Sequence, residues 1–245
     1  MGNNSIMNKS YLLGGKLGDT IHSLVIPSYI YSQTGEKADL YLSTHGDGFT
    51  TGIYNTFLEL APMVLAQPFV SSFQIYHGER IDVRLYEFRN SPKLFNRAWT
   101  DVYFSTFLPD IDPPKDFAWI VNPIEQFEGV IVNRSIRPWG EYTNSRWWDL
   151  LEEHLGNIKF LCTDIAQWEK FPLKALVPPL VTHHLQETFN AINSCKLFIG
   201  NQSSPLAYAS SINKPRIAEL RQNPDAPHYR HEDEYSSNIT WFIGD

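Results

Sequence analysis

Two stretches at opposite ends of the 245-residue chain carry the side chains best suited to chemistry on a charged ligand. The stronger pattern is Lys196 to Ala209, in which an apolar run from Leu197 to Ile199 meets Gly200, Asn201, Gln202, Ser203, Ser204 and Pro205. That order predicts a buried strand, a tight exit at the glycine, and a helix capped by Ser203 or Ser204 with Pro205 as its first residue. Unpaired N–H groups and the helix dipole at such a start attract a phosphate or carboxylate, and Asn201, Gln202 and the serines stand around the same opening. An ordinary strand-to-helix loop that binds nothing has the same pattern. The second stretch runs from Tyr11 to Ile26. It holds an apolar Leu12-Leu13, the loop Gly14-Gly15-Lys16-Leu17-Gly18-Asp19, and an apolar helix that includes His22. Glycines there permit close backbone approach to a ligand, and the dipole favours the ionised form of Asp19, which suits a proton acceptor. A generic glycine turn is the alternative.

Two nucleotide-binding motifs are excluded by spacing. A P-loop requires Lys followed by Ser or Thr, so that the hydroxyl reaches magnesium, whereas Lys16 is followed by Leu17. The dinucleotide fingerprint fails because Gly14, Gly15 and Gly18 are wrongly spaced and no acidic residue closes the second strand near Asp39 to Ser43.

Leu17 to Leu24 resembles the first-loop signature of the heptosyltransferase-like glycosyltransferases, the family related to ADP-heptose:LPS heptosyltransferases. Phe198 to Pro215 resembles that family's donor-binding segment, where a strand ends in Gly and Asp or Asn, small hydroxyl residues follow, and an Ala-rich helix runs to Lys-Pro. Gly129 to Ser135 is similar to the opening strand of its second domain. The resemblance implies an α/β fold of GT-B architecture, two facing Rossmann-like domains with a cleft between them, with residues 1–115 on the acceptor side and 116–245 binding the nucleotide sugar. It implies Asp19 as the catalytic carboxylate, Asn201, Gln202, Ser203 and Ser204 as the donor-phosphate turn, Arg134 and Ser135 beside the diphosphate, and Gly14, Gly15, Lys16, Gly18 and His22 as the first loop. The implied reaction is an inverting, metal-independent transfer of a sugar from a nucleoside-diphosphate donor to a hydroxyl of a glycan-type or small acceptor, with no cofactor. Fixed N–H dipoles and a guanidinium would stabilise the leaving diphosphate without a metal. Two departures stand beside the match. Asn201-Gln202 replace the family's frequent Asp followed by Thr and Gly, and 245 residues leave each half near the lower size of a Rossmann-like domain. Those departures keep open a catalytically degenerate binding protein for a nucleotide sugar or phosphate ligand, and an epimerase on the same architecture.

The elements that must position these residues alternate. Strands are expected near Tyr11 to Leu13 and Asp39 to Ser43, with a helix from about Thr20 to Gln33 between them, a βαβ opening. A helix from Ile53 to Leu60, strands at Gln74 to Tyr76 and Ile81 to Leu85, and a helix from Leu94 to Phe107 with Trp99 and Tyr103 on a core-facing stripe follow. Pro109 to Pro114 precedes Asp116 to Ile120, the expected interdomain hinge. The second half predicts a strand at Val130 to Val132, a helix from Arg146 to Leu155 burying Trp147, Trp148, Leu151 and Leu155, a strand at Ile158 to Cys162, a helix near Gln167, and a helix from Val181 to Asn193.

Composition bounds the function classes. A net charge of −7 argues against general nucleic-acid binding, although Arg134, Arg137 and Arg146, and Arg216 with Arg221, allow a local basic pocket. Two cysteines, Cys162 and Cys195, fall in or beside apolar strands and are expected as core thiols rather than a disulfide or zinc site. Neither the adjacent His183 and His184 nor the charged stretch containing His228 and His231 has metal-ligand spacing. No apolar run has the length of a membrane span and the first ten residues are polar, so a cytoplasmic setting is the expectation.

Overall fold

The computed structural model describes residues 9–45, 48–91, 98–122, 129–135, 146–221 and 238–244. The first part of the chain forms β1 (Lys9–Leu13), α1 (Leu17–Ser23), α2 (Val25–Thr34), β2 (Ala38–Leu42), α3 (Ile53–Leu65), β3 (Val70–Ile75) and β4 (Val83–Arg84). A 3-10 turn at Leu85–Asn90 leads towards α4 (Trp99–Phe107). The second part forms β5 (Val130–Asn133), α5 (Arg146–Glu152), β6 (Ile158–Cys162), α6 (Ile165–Glu169), β7 (Pro179–Val181), α7 (Leu185–Ser194), β8 (Leu197–Asn201), α8 (Ser204–Ser211), β9 (Arg216–Arg221) and β10 (Ile239–Gly244). Among the described residues two sheets result, in the orders β3-β2-β1-β4 and β10-β9-β8-β5-β6-β7, with every pairing there parallel. Parallel neighbours need crossover connections, which is why helices alternate with strands and cover the sheet faces.

The second sheet shows how the core is divided. All four residues of β5 are buried, but Ile131 points into the larger core while Val130 and Val132 point into a smaller one on the opposite face, as the two-residue period of a strand requires. β8 divides likewise, Phe198 entering the larger core and Ile199 the smaller. The larger core is continuous between the sheets. It joins Leu13, Leu40 and Leu42 of the first to Phe198 and Ala218 of the second through Ile21 of α1 and Leu206, Ala207 and Tyr208 of α8. Cys162 and Cys195 are buried free thiols, and burial pushes the Cys195 thiol up to about 11.

Several elements differ from their expected bounds, each for a physical reason. The single helix expected from Thr20 to Gln33 is two helices that start at Leu17 and meet at Leu24. Pro27 has no N–H to donate to Ser23 and its ring crowds that carbonyl, so the second helix begins afresh with Pro27 in its first turn. The helix expected from Val181 begins only at Leu185, because Pro179–Val181 is the edge strand β7, where a missing proline N–H costs no ladder bond. α5 ends at Glu152, so Leu151 is fully buried while Leu155, past the helix end, is 43% exposed. α3 runs on to Leu65, and β4 is only two residues before the chain tightens into the 3-10 turn. The side chains of Arg146, Trp147, Trp148 and Arg221 and the whole of Arg137, His228 and His231 lie outside the described residues. Among the described residues, no helix is long and apolar enough to cross a membrane.

The segment expected as a hinge is bonded on both sides. The Trp119 indole N–H donates to Ile21 O at 3.0 Å, while the backbone N–H groups of Trp119 and Ile120 donate to Ser211 O at 2.8 and 3.0 Å. Gln67 and Val121 exchange a pair of bonds at 2.7 and 3.1 Å.

Candidate functional site

The glycine loop leaves β1 under tight steric control. A Cβ on Gly14 would lie 2.5 Å from His45 O, and Gly15, at φ 90°, donates its N–H to that same oxygen at 2.6 Å. Lys16 follows, exposed at the helix N-cap, and its backbone N–H donates to Asp19 Oδ2 at 2.9 Å. A Cβ on Gly15 would meet Asp19 Oδ2 at 2.6 Å, so glycine is required twice over, for its backbone angle and for this carboxylate. Arg89, from the 3-10 turn, forms an ion pair with Asp19 Oδ2 through Nη2. The Tyr103 hydroxyl donates to the backbone carbonyl of Asp19 at 3.0 Å, and burial first, then the negative charge of Asp19, holds that phenol well above its ordinary range.

The turn after β8 is built as closely. A Cβ on Gly200 would lie 2.7 Å from Phe198 Cε1 and 2.9 Å from Asn133 O. Asn201 is fully buried, and both ends of its amide are bonded to Ser135, Oδ1 accepting from the backbone N–H at 3.0 Å and Nδ2 donating to the carbonyl at 2.8 Å. The helix starts at Ser204, one residue earlier than expected, with Pro205 inside its first turn and Ser203 at the N-cap. The Ser203 hydroxyl does not cap it: Oγ donates back to Asn201 O at 3.0 Å and lies 3.4 Å from Asn133 Oδ1. Arg134 and Glu219, 3% and 0% exposed, form a two-bond ion pair at 2.7 and 3.1 Å. Its guanidinium is thus matched by a carboxylate inside the protein. Ser135, Gln202, Ser203 and Ser204 are half-buried around the helix start.

These two constructions meet. A Cβ on Gly18 would lie 3.7 Å from Ser204 Cα and 3.8 Å from both Ser204 N and Ala207 Cβ. The start of α1, carrying Asp19, therefore rests directly on the start of α8, and the positive ends of two helix dipoles converge at one place. Stretches about 180 residues apart in sequence form a single locus that offers a carboxylate beside an anion-attracting helix start.

His22 is not at that locus. It lies one turn further along α1, 5% exposed, stacked on Trp99 at 5.4 Å between centroids and tilted against Trp119 at 6.2 Å. Burial, with a smaller push from the positive charge of Arg216, lowers it to about 3, so the ring is neutral. Trp99 and Tyr103 belong to the same aromatic core, packed with Phe88. Arg89 and Glu219 carried no motif. A carboxylate between the apolar Ala218 and Leu220 of β9, in register with Asn201, was the available sign of Glu219; Arg89 had none. An open depression of about 430 Å³ lined by Asp82, Arg84, Glu87, Ser105 and Phe107 shares no residue with the locus. Among the described residues, no group of three or more His, Cys, Asp or Glu side chains could hold a metal ion.

No protein-family model matches the chain, and no curated protein matches it. Solved structures do. The E. coli heptosyltransferase WaaC with ADP superposes at a TM-score of 0.63 and 10% identity, over 98% of this chain and 94% of that chain. E. coli ADP-heptose LPS heptosyltransferase II gives 0.57 at 12% identity, over 96% and 90%. A family 9 glycosyl transferase from Veillonella parvula gives 0.54 at 12% identity, over 99% and 88%. The chain shares the fold of these enzymes, the expected α/β GT-B architecture.

Proposed function

We propose that the chain is a glycosyltransferase that moves a sugar from a nucleoside-diphosphate donor to an acceptor hydroxyl. The observation that carries this reading is the contact of the Asp19 helix start with the Ser204 helix start, because glycosyl transfer needs a base and a diphosphate stabiliser within one sugar of each other. On this reading Asp19 takes the proton of the acceptor hydroxyl as its oxygen forms the new bond to the anomeric carbon. The bond from that carbon to the diphosphate oxygen breaks on the opposite side, so configuration inverts, and the charge gained by the leaving group is stabilised by the first-turn N–H groups of α8 without a metal. Ser203, Ser204, Gln202 and the Ser135 hydroxyl then form the donor contacts. Asn201 and Arg134, both buried in bonds of their own, hold that surface from beneath. Residues 1–115 are assigned to the acceptor side and 116–245 to the donor side. Adenosine diphosphate is the first nucleotide to test, since the matching WaaC structure is a complex with ADP.

The test pairs binding with turnover. ADP, GDP, UDP and their sugar conjugates are screened by thermal stabilisation; saturation at about 100 times Kd adds roughly 2.7 kcal/mol, several degrees for a chain of this size. Ser204→Glu places a carboxylate in the first turn of α8, which favours the helix but repels a diphosphate. It should melt no lower than the parent and lose the ligand shift; a retained shift rules out this helix start as the phosphate site. Asp19→Asn should keep the ligand shift and lose roughly 10²–10⁴-fold in release of nucleoside diphosphate, and unchanged release removes the proposed base. Ligand binding with no turnover by the parent protein would identify a binding protein on this fold.

A further inference from the structure

The base assigned above does not stand alone, and the side chain that holds it comes from an element the two motifs do not contain. The 3-10 turn Leu85–Asn90 puts Leu85 and Phe88 on one line, three residues apart, and both are fully buried. That anchoring fixes the turn, and the next residue, Arg89, is carried round to the Asp19 side with its guanidinium 5.4 Å from the Phe88 ring. Its Nη2 and the Lys16 backbone N–H converge on the same oxygen, Asp19 Oδ2, while Gly15 leaves room for that oxygen and the Tyr103 hydroxyl secures the Asp19 backbone. Two donors on one carboxylate oxygen define the plane of the group, which a single donor does not. The pair lies at the boundary of the core: the Arg89 side chain is 35% exposed and that of Asp19 is 12% exposed.

We propose that Arg89 is the positioning residue of Asp19, fixing the orientation in which the carboxylate meets the acceptor hydroxyl. The inference rests on the glycosyltransferase reading and adds to it a residue that acts through the base rather than on the donor.

The experiment measures release of nucleoside diphosphate from the ADP-, GDP- or UDP-sugar that stabilises the parent protein, with water as acceptor, together with donor Kd and melting temperature. Arg89→Gln should lower release by roughly 100-fold with donor Kd changed less than about twofold, because the donor site is untouched. Arg89→Lys, which retains the charge but not the planar fork, should recover about tenfold of that loss and serves if the glutamine variant is poorly folded. In the Asp19→Asn background, Arg89→Gln should cause no further loss beyond about twofold, since the two residues act as one unit. Release by Arg89→Gln within about threefold of the parent, an additive loss in the double variant, or a loss confined to donor Kd would overturn the proposal while leaving the glycosyltransferase reading intact. A parent protein that binds a nucleotide sugar and never releases the nucleotide overturns both.

Discussion

Individual side chains in this molecule divide into those that face the helix-start locus and those that hold it. His22 belongs to neither, although it sits only three residues from Asp19. A helix rises about 1.5 Å per residue, so three residues carry the ring a further 4.5 Å or so into the core. There it meets Trp99 and Trp119, and among the described residues its Nδ1 has no hydrogen-bond partner. The stability consequence has a definite sign. The folded value is depressed to about 3, so below the free value of 6.5 the unfolded chain binds a proton that the folded chain refuses, and stability falls as pH falls through that window. The slope is about 1.4 kcal/mol per pH unit, or roughly 2 kcal/mol between pH 6.5 and 5. His22→Phe keeps the stack and removes the titration. Its loss of melting temperature between pH 7.5 and 5 should be smaller than the parent's by roughly 4–8 °C, and equal losses would show that His22 does not carry the acid sensitivity. Sequence alone exposed Asp19 and the turn at Asn201 because glycine, carboxylate and cap residues fall at fixed local offsets. It carried no sign of Arg89 and did not reveal the partner of Glu219, since the paired residues lie 70 and 85 positions away.

Among the secondary elements, the governing contact is α1 against α8. The space beside Gly18 decides what this contact tolerates: an added Cβ would be at ordinary contact distance, 3.7–3.8 Å from Ser204 and Ala207. Gly18→Ala should therefore unfold within about 1 kcal/mol of the parent, whereas Gly18→Leu must wedge the helices apart and should cost about 1–3 kcal/mol. Equal denaturant midpoints for the leucine variant and the parent would mean that the helices are not in register at this contact. Strands β5, β6 and β8 of the second sheet were legible as mainly apolar runs, because a strand covered on both faces has little place for polar residues, whereas β9, with Arg216, Glu219 and Arg221 among its six residues, and β10 were not read. The break at Leu24 and the short strand β7 were not read correctly, although Pro27 and Pro179 mark both. A proline near a helix start and a proline at a sheet edge are permitted, and telling them from interior prolines requires knowing where the element begins.

For the whole molecule, the decisive feature is one buried core that runs from Leu40 and Leu42 in the first sheet through Ile21, Leu206 and Tyr208 to Phe198 and Ala218 in the second. Two sheets sharing a core should unfold together. Tryptophan fluorescence and far-UV circular dichroism should give coincident urea transitions, and a resolved intermediate would indicate that the halves are stable separately. The GT-B architecture was legible through resemblance, since three motifs occur in the right order along the chain. The joining of the halves was not, because Trp119 reads in sequence as a bulky residue after a proline-rich patch and reveals its bonds to Ile21 and Ser211 only when the chain is folded.

That bridging tryptophan bears on modularity. Where two lobes are joined by a bare tether, a donor lobe can be exchanged between relatives to alter the sugar transferred. Here the strap that would be cut is itself part of the packing, bonded to α1 by its indole and to α8 by its backbone. A transplanted 116–245 fragment would arrive without the α1 carbonyl and apolar surface that Trp119 needs, so it should be less stable alone than within the intact chain.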